Sequence, residues 1–109
     1  MAKHITMTNE FKAAFDSFMQ KLQEMKDAYM REHGYNWKET FTYDEGAKYI
    51  RVVNNTGHGS RSSHCFVEKN TGAIFKCESW KKPAKWSRGN IFAAEQLSGV
   101  GVHGADYLR

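Results

Sequence analysis

Lysine, arginine and tryptophan carry the strongest chemical signal in this chain. Lys76, Lys81, Lys82, Lys85 and Arg88 fall within thirteen residues that hold a single acid, Glu78, and Trp80 and Trp86 stand among them. Cationic side chains neutralise phosphates, and indole faces stack on unpaired bases at about 1–3 kcal/mol per base. The segment therefore predicts a nucleic-acid surface, for single strands before duplexes. Arg51 and Arg61 extend the patch if their strand and loop lie beside it. The competing reading is a solvated basic face whose two tryptophans close the core, and a spacing of six residues does not decide between them.

Other constellations are weaker. The loop Gly57-His58-Gly59-Ser60-Arg61-Ser62-Ser63 has the amides, hydroxyls and cation of an anion nest, yet it lacks P-loop spacing and runs into no helix. His58, His64, Cys65, Cys77 and His103 offer metal-ligating atoms without a C-x-x-C or H-x-x-x-H pattern, so no metal is expected. No nucleophile elbow and no paired carboxylates occur in the basic half. No catalytic residue, cofactor or reaction is predicted. Cys65 and Cys77 allow one disulfide, but two reduced thiols fit a chain without a secretory signal better.

Charge is unevenly placed. The formal net charge is +4, but residues 1–45 hold six Lys/Arg against eight Asp/Glu, a balance of −2. Residues 46–109 hold the other ten against four, a balance of +6, which suits an anionic partner. No run of about 18 apolar residues is present, so no membrane span is expected. Met1 to Met7 lacks the apolar core of a signal peptide, so a cytoplasmic location is expected.

Two kinds of element must position these residues. Phe11, Phe15, Phe18, Leu22, Met25 and Tyr29 recur at spacings of four, three, four, three and four, one face of a helix over 8–33. Thr8 or Asn9 suits the N-cap and Gly34 the C′ position. Twenty-six residues at about 1.5 Å each span roughly 39 Å, long for so small a domain. The same six residues are accordingly expected at the interface of a homodimer or larger oligomer, because a 3.5-residue repeat also makes a helix–helix seam.

Beyond Gly34 the period changes to two. Tyr35, Trp37, Phe41 and Tyr43 alternate with polar residues, Lys48–Val53 reads as a returning strand, and Lys69-Asn70-Thr71-Gly72 joins Ser63–Glu68 to Ala73–Cys77 as a hairpin. Residues 35–78 therefore predict a three- to four-stranded antiparallel meander covered by the helix. Residues 79–109 predict a basic loop or short helix begun by Pro83, a short C-terminal helix over Ile91–Leu97 and a loosely held Gly-rich tail from Ser98. The expected fold is a single α+β domain over 1–109.

The block His64-Cys65-Phe66-Val67-Glu68-Lys69-Asn70-Thr71-Gly72-Ala73-Ile74-Phe75-Lys76, followed by Ser79-Trp80-Lys81-Lys82-Pro83-Ala84-Lys85 and Arg88-Gly89-Asn90-Ile91, resembles small proteins of tailed bacteriophages. The likeness covers a quarter to a third of the chain and leaves out the helix. It implies a phage product working in the host cytoplasm and brings no activity with it. Two readings follow: a non-enzymatic nucleic-acid-binding accessory protein, or a protein that binds and inhibits an acidic host protein of the defence or transcription machinery.

Overall fold

The computed structural model describes residues 6–57, 59–97, 99–101, 104 and 105. Its first element, α1 (Asn9–Glu32), starts where the Thr8 side chain accepts a hydrogen bond from Phe11 N at 3.1 Å. It ends in a Schellman turn. Tyr35 N donates to Met30 O and Gly34 N to Arg31 O, with Gly34 at φ 71° where a side chain would be strained.

Five strands follow in chain order and pair antiparallel with their sequence neighbours: β1 (Thr40–Glu45), β2 (Tyr49–Asn55), β3 (Arg61–Glu68), β4 (Ala73–Cys77) and β5 (Pro83–Asn90). The expected three to four strands are thus five. The extra one is β5, in the stretch read as loop or short helix. As an edge strand it carries half-exposed polar residues in place of apolar alternation, and Pro83 sits at its first position, where no ladder donor is needed. At the other edge, β1 begins at Thr40 and not at Tyr35. Thr40 already pairs with Asn55, the last residue of β2, so nothing upstream has a ladder partner. Gln23 fixes that start: its Nε2 donates to Glu39 O and its Oε1 accepts from Phe41 N, both at 2.9 Å.

The predicted helix over Ile91–Leu97 is absent; the segment is a series of turns. Gln96 explains the difference. Its Nε2 donates to Ile91 O at 2.6 Å and to Ala14 O at 2.9 Å, and its Oε1 accepts from Ser17 at 3.2 Å. A side-chain amide thus occupies the carbonyl that would begin a helical ladder, and it ties the segment to α1. The tail is also held more firmly than expected. Val100 is buried in the core, and β6 (Val100–Gly101) pairs with β7 (Gly104–Ala105). Gly99 passes so close to β5 that a Cβ there would overlap Arg88 O. The rest of the tail, including His103, lies outside the described residues.

One face of the sheet holds the core: Ile50, Val52, Cys65, Val67 and Ile74 pack against Phe11, Phe15, Phe18 and Leu22 of α1 and against Ile91 and Val100. Four of the six residues expected at an oligomer seam belong to this core. Phe11, Phe15, Phe18 and Leu22 are spent inside their own chain, and the buried stripe continues through Lys26 and Met30, not Met25 and Tyr29. Its spacing after Leu22 is four and four, as for a helix lying on a sheet. Met25 is half-buried against the same core, and Tyr29 is half-buried and stacked on His33. Cys65 and Cys77 are both free thiols. Among the described residues no helix is long and apolar enough to cross a membrane.

Two substitutions measure how the two covers of the sheet share the load. Phe18→Ala should lower unfolding free energy by about 3–5 kcal/mol through the cavity it leaves. Gln96→Ala should cost about 1–3 kcal/mol by stranding the carbonyls of Ile91 and Ala14. Urea titrations of the two variants test both values.

Candidate nucleic-acid interface

Strand alternation fixes what the opposite face carries. Ile50 and Val52 enter the core, so Arg51 between them points away from α1, opposite Asp44 on β1 and Phe66 on β3. There it builds a cluster. Its Nη2 donates to Asp44 Oδ2 at 2.9 Å, its Nη1 donates to Trp80 O at 3.1 Å, and its guanidinium lies 4.1 Å from the Trp80 ring centroid. Arg61 joins from β3, donating to Asp44 Oδ2 at 3.0 Å and lying 5.4 Å from the same ring. The Arg51 guanidinium beside Asp44 holds its carboxyl below the usual carboxylate range, with Arg61 adding to the effect.

The turn between β4 and β5 delivers Trp80. Glu78 N and Ser79 N both donate to Lys82 O, closing Ser79–Lys82 tightly over the sheet. Beneath it Tyr49 meets Phe66 and Phe75 edge to face at 6.3 and 5.9 Å. Between sheet and turn opens a cleft of about 270 Å³, lined by Asp44, Tyr49, Arg51, Phe66, Lys81 and Pro83. These aromatics sit on β2, β3 and β4, where sequence reading counted them only as strand formers.

The structure divides the nine predicted contact residues. Arg51, Arg61 and Trp80 form one stacked, ion-paired unit. Lys81, Lys82, Lys85 and Trp86 are exposed on the turn and on β5, with Lys82 3.5 Å from Glu78 and the Lys85 ammonium 5.3 Å from the Trp86 centroid. Trp86 is 60% exposed, the most exposed large hydrophobic side chain among the described residues. Lys76 and Arg88 are half-buried, and Arg88 donates to Trp86 O. The open question about the tryptophans thus has a split answer: Trp80 is half-buried under arginines, and Trp86 faces water.

Of the predicted nest, Arg61–Ser63 lie in β3, and the turn before them is closed by Thr56 N donating to Ser60 O and Ser60 N to Thr56 Oγ1. His58 lies outside the described residues. Burial raises the Cys65 thiol well above its ordinary range and raises Cys77 too, so neither is an activated nucleophile.

A second polar centre went unread in the sequence. Buried Lys26 reaches Glu39 Oε1 at 3.5 Å, Asn54 Nδ2 donates to that oxygen at 2.8 Å, and the Trp37 indole donates to Oε2 at 3.1 Å. The Asn54 bond, followed by that of Trp37, holds the Glu39 carboxyl below its usual range. Only the pairing of β1 with β2 brings Glu39 and Asn54 together, so no local spacing reveals them. A folded pKa below the unfolded one contributes stability that is present above the unfolded value of about 4.3 and lost as pH falls through the folded value. Glu39→Gln should therefore be less stable than the parent at pH 7 and should lose less stability between pH 5 and pH 3. Denaturant titrations across that range test it.

No curated protein and no solved structure matches the chain. One family model does, and it spans residues 2–107, taking in the helix and the whole sheet. The chain belongs to that family, described as the family of unknown function DUF7717.

Proposed function

We propose that this protein is a non-enzymatic nucleic-acid-binding accessory protein that holds single strands on the turn and edge strand beyond β4. Trp86 carries the reading: an indole 60% exposed on an edge strand, with Lys85 beside it and Lys81 and Lys82 exposed on the preceding turn. An open indole face stacks on any base, and nearby ammonium groups meet the phosphates on either side. The balance of +6 over residues 46–109 supports attraction of a polyanion. The resemblance of the 64–91 block to tailed-phage proteins supports a setting in the host cytoplasm. The second reading, inhibition of an acidic host protein, draws on the same exposed lysines.

The division of the tryptophans makes the test sharp. Binding of a fluorescent single strand is measured by anisotropy from about 50 mM salt upward, where phosphate contacts weaken steeply. Trp86→Ala should lose about 1–3 kcal/mol of affinity at an unchanged salt slope, since stacking releases no counterions. Its thermal melt should match the parent's, because the indole is exposed. Lys81→Ala and Lys85→Ala should each flatten the slope by about 0.7 per lost phosphate contact. Trp80→Ala should lower the melting temperature, since its ring supports two guanidinium groups. No binding to any DNA or RNA at low salt would sink the reading and leave the lysines to an acidic protein surface.

A further inference from the structure

The cleft between the sheet and the β4–β5 turn holds one group that phosphate binding does not call for. Phosphates need cations, yet the Asp44 carboxylate stands in the lining beside Arg51 and Lys81. Its side chain is 41% exposed, so a molecule in the cleft can touch it. A carboxylate offers about four acceptor positions. Oδ2 accepts from Arg51 at 2.9 Å and from Arg61 at 3.0 Å, and Oδ1 accepts a longer bond from Arg61 at 3.3 Å. One position on Oδ1 is left for an N–H donor. The Arg51 bond, with Arg61 adding to it, holds the carboxyl below its usual range, so at neutral pH it accepts and does not donate.

The rest of the lining suits a flat ring. Tyr49 and Pro83 stand in it with Phe66, which is almost completely buried. The volume of about 270 Å³ lies just under the range of about 300–1,000 Å³ common for small-molecule sites, room for one base and not a pair. Pro83 opens β5, and Trp86 follows three residues later, at most about 10 Å along the strand. About three nucleotides cover that length. We infer that the cleft takes one unpaired cytosine of the bound strand, its exocyclic amine donating to Asp44 Oδ1. The inference rests on the strand-binding reading and adds base selectivity to it. A carboxylate is the fitting partner for the cytosine amine, whereas adenine calls for the paired donor and acceptor of an amide. Guanine's adjacent N–H groups need both carboxylate oxygens, and Oδ2 is already taken. Thymine and uracil put a carbonyl where cytosine has its amine, setting oxygen against carboxylate.

The full-length protein is titrated by anisotropy, at about 50 mM salt where phosphate contacts are strong, with short labelled strands of thymidine. One strand carries a central cytidine, a second carries N4,N4-dimethylcytidine at that place, and a third is thymidine throughout. The cytidine strand should bind about tenfold more tightly than the thymidine strand, as one hydrogen bond to a charged group implies. The dimethyl strand has lost both N–H donors and should bind as the thymidine strand does, a comparison made on the parent protein alone. Asp44→Asn, whose amide can turn either its oxygen or its NH2 to the base, should bind the cytidine and thymidine strands alike. Its thermal melt is followed alongside, because two ion pairs are lost with the charge. Trp86→Ala should weaken both strands equally and keep the preference. The inference is overturned, with strand binding still standing, if the parent binds cytidine and thymidine strands equally. It is equally overturned if the preference survives dimethylation or the folded Asp44→Asn variant. Absence of binding to every strand removes the strand-binding reading and this inference together.

Discussion

Burial of four side chains of α1 against one face of the sheet is the interaction on which everything else depends. Phe11, Phe15, Phe18 and Leu22 are almost completely withdrawn from water, and each such side chain contributes about 1.5–3 kcal/mol. Once these contacts orient the helix, its polar residues fall into place as pins. Gln23 seats the start of β1, Lys26 meets Glu39, and Ser17 with the Ala14 carbonyl receives Gln96. The face turned from the helix is then released from core duty and carries guanidinium groups, carboxylate and indole.

The helix was legible because its signals are local. Thr8, the apolar recurrence and Gly34 all act within a few residues of where they stand, and they mark Asn9–Glu32 to within a residue or two. The β3–β4 hairpin was legible for the same reason, through Lys69-Asn70-Thr71-Gly72, with Gly72 at φ 75°. What escaped was decided elsewhere in the chain. β5 is a strand because β4 offers it a ladder, Tyr35 is outside β1 because β2 has ended, and residues 91–97 are not helical because Gln96 takes Ile91 O. No window of ten residues contains those partners.

The candidate surface shows the same limit at the level of single side chains. Trp80 and Trp86 have near-identical sequence settings, both beside lysine, and yet opposite roles. Which indole is sandwiched depends on Arg51 and Arg61, roughly thirty and twenty residues upstream, and on the Asp44 carboxylate that gathers them. Composition found the segment, and only the folded sheet could sort its members. The Lys26–Glu39–Asn54 centre is a stronger case, since Lys26 lies on α1, Glu39 just before β1 and Asn54 on β2, and the three match no motif.

The bond from Gln96 to Ala14 spans 82 positions of the chain, and it has a consequence for biosynthesis. Ribosomes release the helix before Ile91, Gln96 and Val100, and its phenylalanines are exposed in the interval. Folding of such long-range contacts is slow, because the closure entropy of the intervening chain is lost before the contact rewards it. Until residues 91–100 are free, the nascent polypeptide presents a half-covered sheet and an apolar stripe to the crowded space around it, a state prone to association. The protein's time of greatest exposure is thus its synthesis, and chaperones that shield nascent apolar stripes would meet it there.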